Sequence, residues 1–145
     1  MNADEKIWRY LKSAGLNDFG VAGLMGNLFA ESGLNPKNLQ NTYEKKLGMT
    51  DEEYTAAVDS GSYSNFVKDS AGYGLAQWTY WSRKDALLAS CKAARASVGD
   101  MDAQLNFLLK ELSVGYSGLL SALKSASSVR EASNAVLLQF ERPAN

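Results

Sequence analysis

Histidine is absent from this 145-residue chain, and cysteine occurs once, at Cys91. These absences exclude an internal disulfide, a histidine base, a serine–histidine triad and a Cys/His zinc site. Proline occurs only twice, at Pro36 and Pro143, each just past a helix-like run that it ends. Charge of one sign is lacking too: 15 Lys and Arg stand against 16 Asp and Glu, a formal net charge of −1, with no basic block. No nucleic-acid partner is therefore expected, because that affinity comes largely from clustered Lys and Arg. No apolar run approaches the roughly 20 residues of a membrane span, and Met1-Asn-Ala-Asp-Glu-Lys lacks the apolar core of a signal peptide. No membrane insertion is expected, and work outside a cell would need delivery by a phage particle, a holin-dependent route or a larger parent chain.

What remains for proton transfer is carboxylates, Tyr, Lys and backbone groups, and glycosidases are the common enzyme class that runs on carboxylates alone. Cys91, amid Leu87, Leu88 and Ala94, reads as a small buried hydrophobe. No regularly spaced Asp/Asn loop resembles a calcium site, so neither cofactor nor metal is expected. The length fits one domain over residues 1–145, able to bury roughly 68% of the surface its unfolded form exposes. The ending Arg142-Pro143-Ala144-Asn145 reads as a domain boundary, consistent with excision from a larger chain.

The pattern is mainly helical. Ile7, Trp8, Tyr10 and Leu11 predict a first amphipathic helix stopping near Gly15. Asn17 or Asp18 caps a second that runs to Glu31 and ends at Gly33 and Pro36. Residues 37–42 read as polar loop, and Thr50-Asp-Glu-Glu53 as a capping box opening a short helix through Tyr54 and Val58, broken at Ser60-Gly61-Ser62. A brief helical turn near Phe66 follows. Ser70 to Thr79 has no helical period, and Gly72 and Gly74 predict a tight turn or small hairpin. Further helices are expected from Ser82 to about Ala96, over 101–112, over 117–126, and from Ser128, with Glu131 completing its cap, through Val136, Leu137 and Phe140.

Glu31 is the leading chemical candidate. A carboxylate at a helix C-terminus meets the partial negative charge of the last carbonyls, and Leu24, Leu28 and Phe29 supply apolar surroundings, so dipole and desolvation both favour the protonated acid. Such an acid can donate a proton at neutral pH, as cleavage of a glycosidic bond requires. On a helical wheel Val21, Leu24, Met25 and Leu28 form one stripe, while Gly20, Gly23, Asn27 and Glu31 fall on the adjoining strip. Gly20, Gly23 and Gly26 each cost the helix about 0.5–1 kcal/mol relative to Ala, so they either allow close helix packing or clear room for a bulky ligand. The second candidate segment, Gly74-Leu75-Ala76-Gln77-Trp78, offers backbone donors, a side-chain amide and nearby aromatic faces at Tyr73, Trp78, Tyr80 and Trp81. Aromatic faces stack on the apolar side of a pyranose while amides bond its hydroxyls.

Together, Glu31-Ser32, Asn35-Pro36 and Gly74-Leu75-x-Gln77-Trp78 resemble the lysozyme-like superfamily of goose-type lysozymes and soluble lytic transglycosylases. The match is closest to the phage tail lysozyme family, through Gly23-Leu-Met-Gly-Asn27, Gly72 to Thr79 and Phe140-Glu141-Arg142-Pro143-Ala144-Asn145. That resemblance spans nearly the whole chain. It implies a mainly α, lysozyme-like domain with a small hairpin or irregular element near the active site. It also implies that Glu31 is the catalytic acid for the β-1,4 bond between N-acetylmuramic acid and N-acetylglucosamine in bacterial peptidoglycan, acting at the wall from a virion or as an endolysin, beside other domains of a parent protein. By the same resemblance Ser32 orients the carboxyl or the following turn. Gly74, Leu75 and Gln77 line the central sugar subsites, Tyr73 and Trp78 serve as scaffold or cleft wall, and Glu141 with Arg142 makes a structural ion pair or cap.

Between the two motifs lies a longer segment, roughly 42–71, than the family pattern carries. It holds Glu44, Asp51, Glu52, Glu53, Asp59 and Asp69. An inverting hydrolase needs a second carboxylate about 6.5–9.5 Å from the acid to activate water, and Asp69, close to the Gly72 turn, is the best candidate for that base. Without one, the substrate's own acetamido group or 6-hydroxyl could complete the displacement, the latter giving the anhydro product of a lytic transglycosylase. A wall-binding module without catalysis is the remaining alternative.

Overall fold

A computed structural model describes residues 2–141. Arg142 and the Pro143-Ala144-Asn145 ending lie outside the described residues. The protein is mainly α-helical, as the sequence pattern predicts, with α1 (Ala3–Ser13), α2 (Asp18–Ser32), α3 (Asn41–Leu47), α4 (Asp51–Ser60), α5 (Trp81–Ala93), α6 (Met101–Gly115), α7 (Ser117–Lys124) and α8 (Val129–Val136), followed by a π-helical turn over Leu137–Glu141. Among the described residues no helix is long and apolar enough to cross a membrane.

The described residues form two compact units, one of residues 2–34 with 108–141 and one of residues 35–107. In the first unit α2 packs against α1, α7 and α8. Asn17 begins α2: its side chain accepts from Gly20 N at 2.8 Å and donates to the Ala126 carbonyl at 2.9 Å. That one residue satisfies an orphan helix donor and fixes the segment after α7. Two of the three helix glycines are explained here. A Cβ on Gly20 would stand 1.8 Å from the Leu123 carbonyl oxygen, and one on Gly23 would stand 2.5 Å from Ala132 Cβ, so both serve close backbone packing. Gly26 has nothing within 4 Å and serves no such purpose. Asn27 donates to the Ser133 carbonyl and hydroxyl, both at 3.1 Å, which pins α2 on α8.

In the second unit the expected capping box is present at α4: Thr50 Oγ1 accepts from Glu53 N at 3.1 Å, and Glu53 Oε1 accepts from Thr50 N at 2.9 Å. At α8 Ser128 Oγ accepts from Glu131 N, but the Glu131 carboxylate accepts from Ser127 N, one residue earlier than a standard box. Two boundaries differ from expectation. α5 begins at Trp81 because Tyr80 already has the extended geometry of a cap, without a side-chain cap bond, and Ser82 falls inside the helix. α3 occupies part of the expected loop and has no buried residue, so no apolar stripe announces it.

Candidate active site

Glu31 lies in the last turn of α2, one residue before its end, and is exposed. The following residues reverse the chain: Gly33 is left-handed at φ 62° and donates to the Phe29 carbonyl, and Leu34 is left-handed as well, at φ 63°. A non-glycine residue there stores backbone strain, which a fixed surrounding must hold. Ser32 is buried and donates to the Leu28 carbonyl at 2.9 Å, so its hydroxyl secures the helix end. Partial burial of the Glu31 carboxyl raises its pKa above the ordinary glutamate value, the direction a proton donor needs.

The second segment is built as a miniature ladder. Tyr73 bridges Leu39 on one side and Trp78 on the other. Tyr73 N donates to Trp78 O at 3.1 Å and Trp78 N returns to Tyr73 O at 3.0 Å, closing a four-residue loop, Gly74 to Gln77. Gly74 sits at φ 83°, where side chains are strained, and a Cβ there would meet the Gln104 amide at 2.9 Å. Gln77 takes the left-handed conformation at φ 50° and spends its side-chain N–H groups on the Asn38 and Gly74 carbonyls, at 2.9 and 3.0 Å. The amide that the sequence assigned to the sugar therefore braces the turn.

Burial redistributes the other assigned residues. Tyr73, Leu75 and Trp78 are all 0% exposed, and Gly74 is buried too. The Tyr73 and Thr55 hydroxyls share a hydrogen bond of 2.5 Å, and Trp78 packs edge-on to Phe107 with ring centroids 5.5 Å apart. In this arrangement the Tyr73, Leu75 and Trp78 side chains present no surface to solvent. Along the same stretch Tyr80 and Trp81 are the exposed aromatics.

Asp69 is committed to a buried network. Its Oδ1 accepts from Lys84 Nζ at 2.6 Å and from Ala71 N at 2.9 Å, and its Oδ2 accepts from Tyr54 at 2.6 Å and Tyr63 at 2.8 Å. The Lys84 side chain is 0% exposed and that of Asp69 3%. Lys84 also donates to the Ala71 carbonyl at 2.7 Å and to Tyr54 Oη at 3.2 Å, and lies over the Phe66 ring. Burial lowers the Lys84 pKa while the Asp69 partner opposes that shift. Desolvation first, then the bond to Asp69, pushes Tyr54 well above the ordinary tyrosine range. No local pattern marks Lys84, a cation in the first turn of a helix that reads as surface.

Gln104 was missed as well. It is 0% exposed: its oxygen accepts from Leu75 N at 2.9 Å, and its nitrogen donates to the Pro36 and Val98 carbonyls at 2.6 and 2.8 Å. One amide thus ties the Asn35-Pro36 loop to the Gly74 turn. Asp51 fastens the same loop by accepting from Leu39 N at 2.9 Å, and a hydrogen bond with Asp51 is the main cause that raises the Glu44 carboxyl. Asp59 is engaged by Ser97 Oγ and Val98 N. Cys91 is a buried free thiol, and burial pushes it up to about 11. Among the described residues no group of three or more His, Cys, Asp or Glu could hold a metal ion.

No curated protein matches the chain. The family model described as phage tail lysozyme matches residues 2–145, so the chain belongs to the phage tail lysozyme family.

Proposed function

We propose that this protein cleaves the β-1,4 glycosidic bond between N-acetylmuramic acid and N-acetylglucosamine, with Glu31 as the general acid. Family membership supports a peptidoglycan-lytic role in virion-associated action on the cell wall. The observation that carries the assignment is the Glu31 carboxyl, exposed at the end of α2 and raised by partial burial. A proton passes from that carboxyl to the glycosidic oxygen as the bond to C1 breaks. In the hydrolytic reading water then attacks C1, gives its proton to a base, and leaves a reducing-end N-acetylmuramic acid.

A second reading, lytic transglycosylase, is favoured by the surroundings of Asp69. Both its oxygens already accept hydrogen bonds, one of them from a buried Lys84, which suits an anchor better than a water-activating base. The substrate's 6-hydroxyl would then attack C1, hand its proton to the Glu31 carboxylate left by the first step, and close an anhydro ring, with no second carboxylate needed to prepare a water.

Mass spectrometry of muropeptides released from purified peptidoglycan tests both readings, with the natural chain set beside Glu31→Gln. Reducing-end products lost in the variant support the hydrolase, and anhydro products lost in the variant support the transglycosylase. Wall binding without any product from the natural chain would replace both with a binding module. Activity should fall as pH rises through the elevated Glu31 pKa, because the acid loses its proton. Stability follows the same sign: the folded state holds this proton to higher pH than the unfolded chain, so that contribution is complete at low pH and lost as pH rises. Glu31→Gln should therefore raise Tm at neutral pH and do so less below the ordinary carboxylate range.

A further inference from the structure

Four aromatic residues occur between positions 73 and 81, and the structure divides them. Tyr73 and Trp78 are fully buried, whereas Tyr80 is 64% and Trp81 53% exposed. The exposed pair lies side by side, with ring centroids 6.2 Å apart and planes tilted by 39°. Among the described residues no hydrogen-bond partner meets Tyr80 Oη or Trp81 Nε1, so each ring keeps a polar handle for a ligand.

The backbone beneath the pair is firm. The Tyr80 carbonyl accepts from Arg83 N at 3.1 Å and Lys84 N at 3.0 Å, and Lys84 is locked to Asp69 and Ala71. A backbone already held in place has little freedom to lose when a ligand covers the rings, which favours binding. Exposed Thr79 and Ser82 flank the pair with hydroxyls. Two aromatic side chains present about 150–250 Å² each when fully counted, well short of the roughly 800 Å² per partner of a stable protein interface. A small aromatic surface of two tilted rings with polar edges suits a pyranose, whose CH face is apolar and whose rim carries hydroxyls.

From this we infer that Tyr80 and Trp81 form a stacking subsite for the N-acetylated pyranose rings of a glycan strand, an inference that rests on the peptidoglycan reading above. The other exposed aromatics lack this combination. Phe19 and Phe29 have no polar handle and stand ten positions apart on α2, and Trp8 is only 36% exposed.

The test uses the whole chain, with Tyr80→Ala, Trp81→Ala, the double variant and the conservative Trp81→Tyr. Co-sedimentation with purified peptidoglycan is measured in the Glu31→Gln background, and KM and kcat are measured with Glu31 intact. Each alanine should weaken binding and raise KM about 2–10-fold, with the double variant losing more, while kcat and Tm hold and Trp81→Tyr recovers most of the loss. Unchanged binding and KM in the double variant, with normal cleavage, would overturn the subsite alone. A change in self-association without a change in wall binding would overturn it too. A natural chain that neither binds nor cleaves peptidoglycan would overturn the catalytic reading and the subsite together.

Discussion

α2 carries Glu31 and the Tyr73 to Trp78 turn carries the Gly74 segment, and the two are held by opposite means. α2 is placed largely by what its sequence leaves out: Gly20 and Gly23 lack the Cβ atoms that would strike Leu123 and Ala132, so backbone meets backbone. The turn is placed by polar side chains bonded to its backbone and its neighbours, with Lys84 and Asp69 gripping Ala71, Gln104 gripping Leu75 and Gln77 gripping Asn38. Close packing tolerates almost no added volume, while a buried polar network tolerates almost no lost partner.

The sharpest way to break the second arrangement is Lys84→Met, which leaves Asp69 buried without its cation. We expect a loss of about 3–5 kcal/mol, seen as a lower denaturation midpoint in urea, and addition of Asp69→Asn should restore part of it. A loss below about 1 kcal/mol would mean that the pair contributes no more than a surface bridge. Next comes Gly20→Ala, with an expected cost of about 3 kcal/mol by the same measurement, since the added methyl meets backbone that cannot rotate away. Smallest is Gly26→Ala, which should gain about 0.5–1 kcal/mol because open space surrounds that position. Wall-lytic activity of this variant sharpens the comparison: unchanged activity makes Gly26 incidental, whereas lost activity in a stabilised protein means that a ligand uses the space.

Much of the helical frame was legible because its punctuation is local. Asn17, the Thr50 to Glu53 box and Ser128 cap their helices through bonds spanning three residues, which a sequence displays directly. α3 was not legible, since Gln40 makes no side-chain cap bond and the helix buries nothing. The place of Glu31 at a helix end beside apolar residues was legible too. The division of the aromatics was not: Trp78 and Tyr80 stand two positions apart, and only the bridge between Tyr73 and Trp78 decides which ring turns inward. Lys84 and Gln104 escaped because all but one of their partners, Val98, lie 13 to 68 positions away, so their burial depends on contacts that no local pattern encodes. Asp69 could be seen to lie close to the Gly72 turn, but not to be already taken.

The Gln104 amide has a consequence for motion. Loops usually open and close far more often than the helices they join, because their backbone groups exchange partners with water. Here Leu75 N, Pro36 O and Val98 O share one buried side chain, so any of these three segments that comes loose leaves a buried group of the Gln104 amide without a partner. Irregular in shape, the Gly74 turn is bound to the slow breathing of the unit that contains it and not to the fast fluctuation of a surface loop.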